Sequence, residues 1–201
     1  MKALGKDSIA SFVQVALTIA WILLWVALGL LAITALAYCA ILGLGSAGVL
    51  DPAIFLGAKD GGIRIETDQG TLVVYDNLSA AWPVFVPALL IGAVAVGGGL
   101  IIVDRLRRLF ASFTSGEPFQ RENATHLRVI WITMLAIEGA RFVLMGALAT
   151  VFAAVGAPNN VDPDFNISVD FSTWMSIAIL IVLAEVFREG ARMKEEQELT
   201  I

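Results

Sequence analysis

Glu138 and Arg141 stand three residues apart in an apolar run, Ala136-Ile137-Glu138-Gly139-Ala140-Arg141-Phe142. On a helix that spacing puts both side chains on one face, where a carboxylate and a guanidinium can neutralise each other. An arginine at the centre of a membrane helix costs about 2.5–3.5 kcal/mol on insertion scales, so exposure of either charge to lipid is disfavoured. Two chemistries follow: a structural pair that fixes helix register, or a site for a ligand, an ion or a proton. Gln14, Thr18 and Tyr38 are the polar residues expected to assist the pair from the first apolar run.

Other reactive residues are scarce. His126 is the single histidine and Cys39 the single cysteine. One cysteine forms no intramolecular disulfide and no cysteine-based metal centre, and is expected to serve as a small packing residue. One histidine excludes a histidine-rich metal cluster; His126 is expected to be a packed or hydrogen-bonded structural residue, with a pH-sensing role left open by its near-neutral pKa. The chain contains no Gly-x-Ser-x-Gly, no Walker-type phosphate loop and no His-Glu-x-x-His. No convergent set of nucleophile, base and metal ligand can be assembled, so a non-enzyme without a cofactor is expected.

The elements that carry these residues are membrane spans. Of the 201 residues 58% are apolar and 15% charged, and the mean hydropathy is +0.83; a soluble domain carries about 25% charged residues. Apolar runs long enough to cross a hydrocarbon core of about 30 Å occur at 12–40, 83–103, 129–155 and 171–187. They predict a single all-α membrane domain over 1–201, a four-helix bundle without room for a separate soluble catalytic domain. The first apolar stretch, 9–50, exceeds the core of a cleavable signal peptide and is expected to be retained. Counting about 1.5 Å per residue from Arg128 puts Glu138 roughly 15 Å deep, near the bilayer midplane. Gly92, Gly97, Gly98 and Gly99 in the second run and Gly139 and Gly146 in the third supply small side chains for close helix approach, within one chain or between copies in a homo-oligomer.

Charge orients the spans. Residues 1–8 carry Lys2 and Lys6, residues 104–128 carry Arg105, Arg107, Arg108, Arg121 and Arg128, and residues 188–201 carry Arg188, Arg192 and Lys194. The segments 51–82 and 156–170 hold only Lys59 and Arg64 among basic residues. The positive-inside rule therefore predicts both termini and 104–128 in the cytoplasm, with 51–82 and 156–170 as outer loops. In the first outer loop, 63–67 and 71–75 are β-prone segments around Asp68-Gln69-Gly70, which predicts a hairpin. Alternation in 165–169 predicts a third strand, completing a small extracytoplasmic sheet that caps the bundle. Asn123-Ala124-Thr125 and Asn166-Ile167-Ser168 match the glycosylation pattern, which carries little weight at this length.

The segment Asp104-Arg105-Leu106-Arg107-Arg108-Leu109-Phe110, with Gly116-Glu117-Pro118-Phe119, Glu122-Asn123-Ala124 and Leu127-Arg128, is one of two distinctive cytoplasmic stretches. The other runs Ala184-Glu185-Val186-Phe187-Arg188-Glu189-Gly190-Ala191-Arg192 and ends Glu195-Glu196-Gln197-Glu198-Leu199-Thr200-Ile201. In these segments and in span count the chain resembles the DUF2975 family, four-span bacterial membrane proteins. Members are often encoded beside small helix-turn-helix regulators of the Cro/repressor type. The resemblance thus implies a location in the bacterial inner membrane and a DNA-binding protein docked on the cytoplasmic face, with no direct nucleic-acid binding by this chain.

The residues themselves give a physical reading of that face. Arg105, Arg107 and Arg108 follow the second span at helical spacing, where they can snorkel to lipid phosphates or meet a partner. Gly116 and Pro118 break the helix, Phe119 folds back onto the inner end, and a helix restarts at Arg121. Glu185, Arg188, Glu189, Arg192 and Glu196 recur at three- and four-residue spacing, which predicts a projecting, ion-paired helix. Leu199 and Ile201 then place two aliphatic anchors at the chain end. A docking surface of Arg105, Arg107, Arg108, Phe119, Arg188, Leu199 and Ile201 favours a membrane-anchored regulatory or scaffold protein. The alternative is a small transporter or channel centred on Glu138 and Arg141.

Overall fold

A computed structural model describes residues 9–47, 63–66, 72–75, 82–115, 120–155 and 170–198. Four helices carry the fold: α1 Ile9–Ser46, α2 Trp82–Thr114, α3 Arg121–Val155 and α4 Phe171–Glu198. Each contains a stretch long and apolar enough to cross a membrane, so the chain is a multi-pass membrane protein with a helical bundle. The helices have 38, 33, 35 and 28 residues, about 42–57 Å at 1.5 Å per residue, and all exceed the apolar thickness they must match.

Their ends follow from local chemistry. Asp170 caps α4: its Oδ1 accepts from the Ser172 backbone N–H at 3.0 Å, and its Oδ2 accepts from the Thr173 hydroxyl at 2.7 Å. Pro87 lies inside α2, where its missing N–H leaves one turn of the ladder unbonded, a gap that membrane helices tolerate when neighbours pack closely. The stop at Thr114 and the restart at Arg121 agree with the expected break; residues 116–119 themselves, Phe119 included, lie outside the described residues.

Two compact units make up the chain. The first comprises Met1–Leu28, Val94–Gly139 and Ser168–Ile201, and so contains the start of α1, the end of α2, the start of α3 and all of α4. Its core is Leu109, Leu127, Ile130, Ile177 and Ala191, with Ser112, Asn123 and Glu138 as buried polar residues. The second comprises Gly29–Ala93 and Ala140–Ile167. In it Tyr38 is buried and stacks on Phe85 at 5.3 Å between ring centroids. Large apolar side chains of α1, among them Ile19, Leu23, Val26 and Leu30, are exposed, as helices surrounded by lipid require. Cys39 is exposed as well, so it does not serve the packing role expected of it.

In the second unit, β1 Ile63–Glu66 and β2 Leu72–Tyr75 pair antiparallel, with Ile63 opposite Tyr75 and Glu66 opposite Leu72. The expected β cap on the bundle is not supported. The pair has two strands of four residues each, and such a ribbon buries too little alone to form a stable layer. The segment expected to widen it, 165–169, lies outside the described residues.

Close helix approach falls on some of the glycines and not others. A Cβ at Gly98 would lie 2.7 Å from Ile137 Cγ1, and one at Gly92 would lie 2.7 Å from Leu31 Cδ1. At Gly97, Gly139 and Gly146 a Cβ would meet nothing within 4 Å. Within the chain, among the described residues, close approach therefore falls on Gly92, Gly98 and Gly99 and not on these three.

Candidate functional site

The most completely buried residues of the first unit sit at the basic ends of α2, α3 and α4. Asn123 and Leu127 are each 1% exposed. Asn123 Nδ2 donates to Ser112 Oγ at 2.7 Å, and the Ser112 hydroxyl donates to the Leu109 carbonyl at 2.7 Å. Phe113 stacks on Phe187 at 6.0 Å and meets Phe110 edge-on at 5.7 Å. Arg121 on α3 reaches Glu195 on α4 at 2.8 Å. Residues from three helices thus build one packed head. The burial of Asn123 also removes it as a glycosylation acceptor, because the amide is committed inside the fold.

Of the residues expected to dock a partner, each described one has its own surroundings. The Arg107 guanidinium lies 5.0 Å from the centre of the Trp21 ring, a cation–π contact worth about 0.5–2 kcal/mol. Arg108 pairs with Asp104 at 3.1 Å. Arg105 is half-buried, and Arg188 is bound by Glu185. Phe119, Leu199 and Ile201 lie outside the described residues. The tail forms the expected ladder: Arg192 pairs with Glu189 at 3.5 Å and with Glu196 at 3.1 Å.

A groove of about 730 Å³ runs between α3 and α4. Arg121, Arg128, Arg188 and Arg192 line it with Glu185 and Glu189, and Trp131, Ile181 and Ala184 give it an apolar wall. The sequence placed Arg121 and Arg128 in the cytoplasmic loop and Arg188 and Arg192 on the ion-paired tail helix, with Arg188 also in the docking surface, and did not reveal their convergence. The usable signal was their spacing, Arg121 and Arg128 two turns apart on α3 and Arg188 and Arg192 about one turn apart on α4, which aligns each pair along one helix face.

Glu138 is 9% exposed. Arg141 is half-buried, its guanidinium 5.4 Å from the Phe142 ring. On α1, Thr18 Oγ1 donates to the Gln14 carbonyl of its own helix at 2.8 Å, and the buried Tyr38 hydroxyl has no hydrogen-bond partner among the described residues. His126 is half-buried at the head, within electrostatic reach of Arg105, Arg108, Asp104 and Glu122, and its buried Nδ1 makes no hydrogen bond among the described residues. It is a packed residue rather than one anchored through that nitrogen.

No curated protein and no solved structure matches the chain. The family model described as protein of unknown function (DUF2975) matches residues 76–201, which take in α2, α3 and α4, the whole of the packed head and the groove, and leave α1 and the strand pair outside. By that match over more than half of its length, the chain belongs to the DUF2975 family.

Proposed function

We propose that this is a non-enzymatic membrane anchor whose head, formed by 104–128 and 188–201, docks a soluble regulatory protein in the bacterial cytoplasm. The observation that supports this most is the packed head itself. Crossing a bilayer requires only apolar helices; ordering further turns of three helices around Leu109, Ser112, Asn123, Leu127 and Ala191 carries an entropic cost that spanning alone does not call for. A preformed surface lowers the ordering cost of binding. Basic residues on α2 and the acidic end of α4 offer electrostatic selection, and Leu199 and Ile201 supply an aliphatic anchor. The family resemblance narrows the partner to a small helix-turn-helix regulator of the kind often encoded beside members of the family, and the arginine excess at these helix ends supports a cytoplasmic position for the head.

The test is binding of that purified regulator to the full chain and to a chain lacking 199–201, both in detergent micelles. The truncation should leave membrane insertion intact and speed dissociation about tenfold, because a desolvated anchor acts mainly on the off-rate. Equal dissociation rates, or no binding to the full chain, would defeat this reading. The alternative, a small transporter or channel, would then be the better one, and it draws on the burial of Glu138 in an apolar stretch of α3.

A further inference from the structure

We propose that the groove between α3 and α4 binds the headgroup of an anionic phospholipid. The Arg121–Glu195 contact marks the antiparallel register of the two helices. Seven residues onward along α3 is Arg128, and seven back along α4 is Arg188, so the two guanidinium-bearing positions stand level. The volume of about 730 Å³ is in the range of ligand clefts, about 300–1,000 Å³.

Charge within the groove is unequal. Four arginines face two glutamates; Glu185 is held by Arg188, Glu189 by Arg192, and Glu195 binds Arg121 from beyond the groove. Arg128 is exposed in the groove and makes no ion pair or hydrogen bond among the described residues. A phosphodiester placed there would receive charge-assisted hydrogen bonds from an arginine that needs no release from another partner.

The walls decide which anion fits. Trp131, Ile181 and Ala184 line the same groove and lie on the apolar side of the arginines along both helices. An amphiphile with a phosphate head and an acyl chain matches this gradient, whereas free phosphate has no use for the apolar wall. Tryptophan at the headgroup level and arginines beyond it are the arrangement that membrane interfaces favour.

Native mass spectrometry of the delipidated full-length chain, titrated separately with phosphatidylglycerol, phosphatidylcholine and inorganic phosphate, tests this directly. One phosphatidylglycerol should bind about tenfold more tightly than phosphatidylcholine, and Arg128→Gln should remove about fivefold of that affinity. Arg128→Lys should retain most of it, and serves if the glutamine variant does not fold. Lys194→Gln, outside the groove, should change nothing. Equal affinity for both lipids, an equal loss in Lys194→Gln, or displacement of the lipid by millimolar phosphate would overturn the proposal. The titration contains no protein partner, so its failure leaves the docking reading untouched, and the reverse holds.

Discussion

Asn123 links α2 to α3 through an amide that is 1% exposed, donating to Ser112 Oγ, which in turn donates to the Leu109 carbonyl. Such a chain is rigid because each member is satisfied by the next, and removing one leaves a buried polar atom behind. Asn123→Ala should therefore destabilise the head by about 1–3 kcal/mol. Ser112→Ala combined with it should cost less than the two single changes added together, since both break one bond. Unfolding followed by circular dichroism in mixed micelles measures this; strict additivity would separate the two residues. The exposed Arg121–Glu195 pair, with side chains 76% and 45% exposed, gives the contrast: Arg121→Ala should stay within about 1 kcal/mol of the parent, because solvent screens it.

Along the elements, α2 carries the sharpest distinction. Gly98 faces Ile137, whose Cγ1 would stand 2.7 Å from an added Cβ, whereas Gly97 beside it faces open space. Ile is stiff at its first side-chain torsion and yields little. Gly98→Ala should lose about 1–3 kcal/mol through overpacking. Gly97→Ala should be neutral or gain up to about 1 kcal/mol through helix propensity. Thermal unfolding of the two variants in the same detergent checks the pair, and equal effects would remove Gly98 from the helix contact. The triple glycine was legible in the sequence as a packing signal. Which glycine of three touches a neighbour depends on the rotation of α2 about its axis, which hydropathy does not encode when a helix is apolar all round. The rotation of α3 about its own axis likewise decides that Asn123 points into the head rather than to solvent.

For the whole molecule, the arginine asymmetry predicts both termini and the head on the inner side. Cys39 is exposed, so Cys39→Ala must precede single cysteines introduced at Asn77, Asn160, Thr114 and Gln197. The first two should react with an impermeant thiol reagent in intact cells and the last two should not; the opposite pattern would reverse the orientation. What the sequence determined by itself is the part governed by neighbours along the chain. Four apolar runs became four helices, the charged spacing of 185–196 became an ion-paired helix, and the motifs at 104–128 and 184–201 identified the family. Tertiary structure alone decided that Arg121 meets Glu195, 74 residues away, that Arg128 and Arg188 share a groove, and that a β cap on the bundle is not supported. The reason is physical: hydropathy and propensity act over one or two turns, whereas these contacts depend on the register and rotation of one helix against another, which packing between distant side chains sets.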